Sequence, residues 1–575
     1  MSFAHVVLIG SGVAHLDQAY TYRVPDDDVH VGSLVRVPVR GKSREGIVVE
    51  LLDESDVPRV QPIRAVLGPG LAEDVVHVCH SVAEHYLSSF GEALAAAVPQ
   101  RTVSEEEIPP REPSMPLPDL DVTWLREFAS GGTLLRHIED HTYKGFATSG
   151  AWLKDRGHAI ASLACDVVRR GRGVLILLPD LRGPSSIAQS LEATLGDNIA
   201  WVGSDRPTRE RYRDWLALRR GTLTIAAGGR SAVFAPVQDL GLVIMYDEAH
   251  VSFKEKRTPR FHARPVAADR ARSAGAVFLA IGIPPSAEVM DAMERRVLQG
   301  MGTDSIRATK KPPDRPAVLV IDRTKAEDRL VPSARTLTAM RAALDAGRRA
   351  VLLVHRGGES LRTVAARTER VLKTKAVRLD ARSLSADKSA FEDAIRHAPL
   401  LIATPVIARD VELERIGCVA VVEADAALSV PEFRASEEAL ATWRKCARWL
   451  SRQDVFVIET DQPKNPAIET LVRWNMKIWW HAESTRRKEL GYPPYAALVR
   501  IDTTPERAAD VAETVRAAAP DAEILGPVEE EGRSVIIVRQ RAREALIAAL
   551  SEPARAWRAE GIDVRIDVDP REVLP

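Results

Sequence analysis

Short apolar runs recur along the chain at two different spacings, and each change of spacing marks a change of domain. In the first hundred residues, runs at 4–9, 33–38 and 46–52 are separated by Gly- and Asp-rich turns, and a helical period follows from about 74 to 86. This predicts a small β-barrel-like domain over 1–70 and a helix pair as connector over 71–100. Between 101 and 119 the chain carries Glu105-Glu106-Glu107, Pro109-Pro110, Pro113, Pro116 and Pro118, a polar, Pro-rich stretch that reads as a linker.

From 120 to 310, buried-strand runs at 174–178, 223–227, 242–245 and 277–281 alternate with amphipathic or Arg-rich helical periods. Such alternation predicts βαβ units and a parallel, doubly wound sheet. A second series at 317–321, 350–354, 400–403, 419–422 and 455–458, with a helix over 334–346, predicts a similar lobe over 311–490. After Tyr492-Pro493-Pro494-Tyr495 the register changes to strands at 497–503, 534–539 and 564–568 with helices between, a small α+β domain over 491–575. The expected fold class is therefore multidomain α/β, two tandem lobes flanked by two smaller domains.

Composition narrows the function classes. At 575 residues, with 45% hydrophobic and 28% charged residues, the chain has apolar material for several cores. Its 79 Lys+Arg and 80 Asp+Glu give a net charge of -1, so any nucleic-acid contact must come from local basic patches. The Arg-rich stretch 206–220 could touch phosphates, but a charge run on a helix is more often a solvated face. Cys79, Cys165, Cys418 and Cys446 are scattered and never form C-x-x-C, which argues against a disulfide framework and a four-Cys zinc site. The first ten residues lack a signal peptide's basic and apolar regions, and no apolar run approaches a membrane span, so a cytoplasmic protein with no membrane role is expected.

Chemistry gathers at 240–250. The run Leu240-Gly241-Leu242-Val243-Ile244-Met245-Tyr246 leads into Asp247-Glu248-Ala249-His250. A buried strand ending in two carboxylates resembles a helicase-type Walker B element, in which the first holds Mg²⁺ and the second orients the attacking water. The alternative is an acidic surface turn. A motor also needs a Gly-rich loop with G-K-[ST] to wrap the phosphates. The stretch Gly145 to Gly157 has none: Lys154 is followed by Asp155 and reads as a solvated lysine.

Further segments carry a resemblance. These are Gly229-Arg230-Ser231-Ala232-Val233-Phe234-Ala235-Pro236; Phe253-Lys254 with Pro259-Arg260-Phe261-His262-Ala263-Arg264; Pro431-Glu432-Phe433-Arg434-Ala435-Ser436-Glu437; Glu483 and Arg487; Leu490-Gly491-Tyr492-Pro493-Pro494-Tyr495; Leu525-Gly526-Pro527; and Ile566-Asp567-Val568-Asp569-Pro570. In this order they resemble PriA, the bacterial primosomal replication-restart family of superfamily 2 DNA helicases, almost from end to end. The resemblance implies two RecA-like lobes, a 3′-DNA-end-binding domain, a winged-helix-like connector and a C-terminal domain.

The departures matter as much. Where the family has G-S-A-T-P-S, this chain has Ile281-Gly282-Ile283-Pro284-Pro285-Ser286; where it has G-T-Q-M-I-A-K-G, Ala403-Thr404-Pro405-Val406-Ile407-Ala408-Arg409-Asp410; and of its arginine-finger stretch only Arg452 keeps its place, within 445–452. The eight-cysteine zinc module is absent. The resulting expectation is no cofactor: no zinc, and no intact site for ATP and Mg²⁺, with Asp247 and Glu248 a degenerate Walker B pair and Arg452 a finger relic.

For DNA binding the resemblance implies Tyr20 stacking on a base, Gly41 admitting a strand, Lys42 beside it and Arg64 on phosphate, with Thr21 in place of the family's pocket aspartate; Tyr20 and Tyr22 could instead simply pack. Arg230, Phe253, Lys254 and Arg260 are the expected contacts in the lobes, and His85 is expected to be a packed helix residue. The function implied is a replication restart protein that recognises stalled or abandoned forks and single-stranded/duplex junctions. It would promote primosome assembly and helicase reloading without helicase activity. Partners would be primosome proteins, single-stranded DNA-binding protein and the replicative helicase or its loader. The alternatives are an ATP-dependent 3′-to-5′ helicase with a remodelled site and a protein scaffold with no DNA role.

Overall fold

Strand β1 (Phe3–Ile9) is buried along most of its length because it pairs on both sides, with β2 (Ala19–Arg23) and with β4 (Lys42–Leu52). With β3 (Leu34–Val39) and β5 (Ala65–Gly68) these form an antiparallel sheet in the order β2-β1-β4-β3-β5. Its two edges are drawn together where Arg23 N donates to Gln61 O and Ile63 N donates to Arg23 O, which closes the sheet toward a barrel. The computed structural model describes residues 2–10, 12–25, 28–149, 155–179, 181, 185–302, 315–326 and 331–573.

The first lobe is a seven-stranded parallel sheet in the order β12-β6-β11-β10-β7-β9-β8, from β6 (Lys144–Ser149), β7 (Gly173–Leu177), β8 (Ile199–Trp201), β9 (Ile225–Gly228), β10 (Leu240–Tyr246), β11 (Val277–Gly282) and β12 (Gln299–Gly300). The second is a six-stranded parallel sheet, β13-β18-β17-β14-β16-β15, from β13 (Ala317–Asp322), β14 (Arg349–Val354), β15 (Val377–Leu379), β16 (Leu400–Ala403), β17 (Ile416–Val422) and β18 (Val455–Thr460). Every residue of β10 and β17 is buried, as expected of central strands covered on both faces. Strand β6 escapes the hydrophobic pattern because Lys-Gly-Phe-Ala-Thr-Ser is weakly apolar, and it is recruited by pairing to β11 and β12. A four-stranded antiparallel sheet, β20-β21-β19-β22, closes the chain, from β19 (Ala497–Thr503), β20 (Glu523–Glu530), β21 (Arg533–Gln540) and β22 (Val564–Val568).

The stretch 101–119 is fastened to the first lobe. Glu105, 3% exposed, pairs with Arg209 and lies 3.9 Å from Arg213. Glu106 accepts from Arg101 Nε at 2.5 Å and from Tyr212 Oη at 2.5 Å, and its carbonyl accepts from Arg220 at 3.1 Å. Arg111 pairs with Asp214. Much of the Arg-rich helix 208–219 is thus occupied in holding this strap.

The connector is two helices, Glu73–His85 and Phe90–Ala97, the second with a Ser89/Glu92 capping box. Buried Arg270 of the first lobe ties the connector down: it donates to the Val233 and Ala235 carbonyls and to Asp74 at 3.3 Å. The C-terminal domain reaches the same place, Arg558 donating to Leu87 O at 2.9 Å and to Asp17 at 3.1 Å.

Candidate DNA-binding domain and interlobe cleft

Strand β10 delivers Asp247 to the carboxyl edge of the first lobe, where the backbone turns sharply at φ 52°. Its carboxylate does not face open solvent: Lys445 Nζ, from the helix Ala435–Ala447 of the second lobe, donates to Asp247 Oδ2 at 2.5 Å. Glu248 is fully buried and points elsewhere. Ser286 N donates to its Oε1 at 2.7 Å, and Ser286 Oγ and Arg264 Nη1 donate to Oε2 at 2.9 and 2.5 Å. Burial pushes the Glu248 carboxyl above its usual range, and Arg264 and the Ser286 bonds only partly offset that.

A second connection centres on Asp410, which follows the turn Pro405–Ala408. Its Oδ2 accepts from Ile187 N at 2.8 Å, Ser185 Oγ at 3.1 Å and Ser186 Oγ at 3.2 Å, all of the first lobe, and its Oδ1 from Tyr246 Oη at 3.2 Å. Arg448 lies 3.5 Å from both Asp410 and Glu412, and Glu412 pairs with Arg156 of the first lobe. Burial alone would raise the Asp410 carboxyl, but the Arg448 and Arg156 charges and the bonds from Ile187 and Ser185 hold it below its usual value.

A third connection uses residues singled out in the sequence without a stated role. Glu437 accepts from Ala287 N at 3.0 Å and from Arg487 Nη2 at 2.7 Å; Arg487, 1% exposed, also donates to Glu483 at 2.8 Å, and Arg434 pairs with Glu288. Phe433 stacks on Tyr492 at 4.9 Å, carrying the network to the C-terminal domain.

These residues do not fit a Mg²⁺-bound nucleotide. The carboxylate that would hold the metal is neutralised by an ammonium, the one that would orient water is enclosed by Arg264 and Ser286, and the stretch 145–157 of the first lobe has no G-K-[ST]; the triplet Gly41-Lys42-Ser43 lies in the β3–β4 hairpin of the N-terminal sheet. Lys154 and the rest of 150–154 lie outside the described residues. Arg452 is exposed in the turn before β18, while Lys445 and Arg448 of the same stretch reach the first lobe.

The lobe residues expected to meet DNA are spoken for. Phe253 is fully buried in the first lobe; Lys254 Nζ donates to Val568 O and pairs with Asp567, both at 2.7 Å; Arg260 lies 3.9 Å from the same Asp567; and Arg230 pairs with Glu255 at 2.6 Å. A strand approaching Lys254 or Arg260 would have to compete with the C-terminal domain. His85 bonds within its own helix, to Ser81 O at 2.8 Å.

The N-terminal sheet is more open. Tyr20 and Thr21 sit half-buried on the edge strand β2, whereas Tyr22 is buried with its hydroxyl donating to Pro38 O at 3.0 Å. Arg40 at φ 47° and Gly41 at φ 78° make the tight β3–β4 turn, the left-handed pair that a two-residue hairpin requires, and a Cβ on Gly41 would meet open space. Arg23, Arg36, Arg40, Lys42 and Arg64 of the same domain are exposed. The functional residues that sequence reasoning missed are Lys445, Asp410, Glu412 and Arg156; the one available signal was that the degenerate motif stretches gained charge where the family pattern lost it.

The architecture therefore defines a two-lobed, helicase-like protein with an N-terminal DNA-binding sheet. Residues 6–99 match the family model for the PriA 3′DNA-binding domain (3′BD), and residues 488–571 match that for the primosomal protein N C-terminal domain. At both ends, the chain is thus similar to the PriA replication restart protein family. Over 596 residues it is 26% identical to the probable replication restart protein PriA of Mycobacterium tuberculosis, covering 90% of each chain. Over 662 residues it is 24% identical to the replication restart protein PriA of Treponema pallidum, covering 97% of this chain and 98% of that one. A structure of RecG bound to a three-way DNA junction aligns with 66% of this chain and 51% of that one, at 12% identity and a TM-score of 0.39.

Proposed function

We propose that this protein recognises stalled or abandoned replication forks, using its 3′-DNA-binding domain, and promotes primosome assembly and helicase reloading there. Its two lobes act as a closed scaffold and not as an ATP-driven motor. The observation that carries the motorless reading is the Lys445–Asp247 pair. A metal at Asp247 would have to expel an ammonium whose side chain is 12% exposed, leaving it without its counter-ion. Breaking a buried pair from one side costs roughly 3–5 kcal/mol, and the stretch 145–157 of the first lobe carries no G-K-[ST] to wrap phosphates and offset that cost. Affinity for DNA then comes from phosphate contacts and selectivity from strand ends and branch shape. By family resemblance the recruited partners are primosome proteins, single-stranded DNA-binding protein and the replicative helicase or its loader.

The test is binding of the purified chain to a synthetic fork against linear duplex over a salt series, with ATP hydrolysis followed in the same samples. Fork preference without DNA-stimulated hydrolysis is the expected result. Hydrolysis that rises with fork DNA would restore the helicase reading, and no fork binding at low salt would remove both.

A further inference from the structure

Most arginines buried within this protein are bound to its own carboxylates or carbonyls, which makes one cluster of largely exposed cations on the second lobe informative. Over 362–382 the chain carries Arg362, Arg367, Arg370, Lys373, Lys375, Arg378 and Arg382 against only Glu369 and Asp380. The helix Glu359–Leu372 buries Leu361, Val364, Ala365, Thr368 and Leu372, so 362, 366, 370 and 373 fall on its outer side. The chain then runs through exposed Lys375 into β15, the edge strand of the sheet, where Leu379 is buried and Arg378 is exposed. Arg382 follows, exposed, in the next helix.

The neighbouring acids are already used. Glu359 pairs with Arg362 at 2.8 Å, Glu369 accepts from Ala376 N at 2.8 Å, and Asp380 caps the helix Ala381–Ala386 by accepting from Ser383 N at 2.9 Å. Arg370, Lys373, Lys375, Arg378 and Arg382 make no hydrogen bond or ion pair with the described residues. The Arg-rich helix 208–219 is the contrast, with Arg209 and Arg213 beside Glu105.

We propose that this face of the second lobe binds the phosphate backbone of a duplex DNA arm. This rests on the fork-binding reading and names which part of a fork the second lobe holds. The helical stretch from 362 to 373 spans about 16 Å at 1.5 Å per residue, a length along which duplex DNA presents a charge about every 1.7 Å. Single-strand grooves pair their cations with aromatic platforms for base stacking. From Glu359 to Ala390 the chain has no Phe, Tyr or Trp, and Phe391 is buried, so the face is built for backbone charge and not for bases.

The experiment uses the full chain carrying Lys373→Ala, Lys375→Ala and Arg378→Ala together, with the Lys373→Arg/Lys375→Arg variant as charge-preserving control. Binding is measured to plain duplex, to a fork with long duplex arms and to a short single strand with a free 3′ end, across a salt series. For the triple variant the log affinity for duplex and fork should depend less steeply on log salt, by about 3 in slope. Binding of the short strand should be unchanged, and the control should behave as the parent. Unchanged duplex and fork slopes overturn the proposal, as does an equal loss on the short strand. Parent protein that binds duplex but does not prefer forks would instead count against the fork reading and leave the duplex arm of the test intact.

Discussion

The ammonium of Lys445 and the carboxylate of Asp247 meet at 2.5 Å across the two lobes although 198 residues separate them. This pair occupies the position from which a helicase-type lobe would present its carboxylate to a metal, and among the described residues the lobes also meet at Asp410 and at Glu437. If it contributes to closure, Lys445→Ala should lower the first unfolding transition by the equivalent of about 3 kcal/mol, because Asp247 is then left buried without a partner. The double variant Asp247→Asn/Lys445→Met should recover most of that loss. Equal losses in the single and double variants, read by calorimetry, would show that the pair is not coupled.

Asp410 supplies the pH dependence. Its carboxyl is held below the usual Asp value of about 3.9 by Arg448 and Arg156 and by the bonds from Ile187 and Ser185, against the opposing effect of burial. A carboxyl depressed in the folded state contributes stability that is present above its unfolded value and is lost as pH falls through its folded value. An interlobe distance followed with paired fluorophores should therefore stay constant from pH 7 to about pH 4 and lengthen only below that. Opening already at pH 6 would assign closure to other groups.

On the N-terminal sheet, Tyr20 is half-buried on the edge strand β2, and the same domain exposes Arg23, Lys42 and Arg64. If its ring stacks on a terminal base, Tyr20→Ala should weaken binding of a short 3′-ended strand by about 1–3 kcal/mol, while Tyr20→Phe should bind nearly as the parent. Arg64→Ala should weaken binding of all sequences alike and lower the salt slope by about 1. A Tyr20→Phe loss as large as that of Tyr20→Ala, in the same titration, would point to the hydroxyl and not to stacking.

The strap over 101–119 is held by Glu105 and Glu106 against Arg209, Tyr212 and Arg220. Replacing Arg209 and Arg220 with Ala should release it, and limited proteolysis should then cut within 101–119 faster than in the parent, with the lobes left intact. Cleavage rates equal to the parent's would mean that the remaining bonds, such as Tyr212–Glu106 and Arg111–Asp214, suffice to hold it.

The sequence by itself determined the order of the domains and most of the central strands. Runs such as Val243-Ile244-Met245 or Val419-Ala420-Val421 are apolar without interruption because both faces of a central parallel strand are covered, and that signature is local. It also showed that the stretch 145–157 of the first lobe has no G-K-[ST], since that loop is a contiguous pattern. Peripheral strands such as β6, β8, β15 and β20 were not legible, because each is short, weakly apolar or exposed and is held by its partner strands. The charged residues were the least legible of all. Arg209 reads as solvated and, still largely exposed, also meets the buried Glu105; Lys254 reads as a DNA contact and pairs with Asp567; and Lys445, read only as part of a departure from the family's arginine-finger stretch, closes the cleft on Asp247. Tertiary structure alone decided these, because an ion pair is set by which two charges are brought within a few ångströms of each other in a water-poor place, and no local pattern in the chain records that distance.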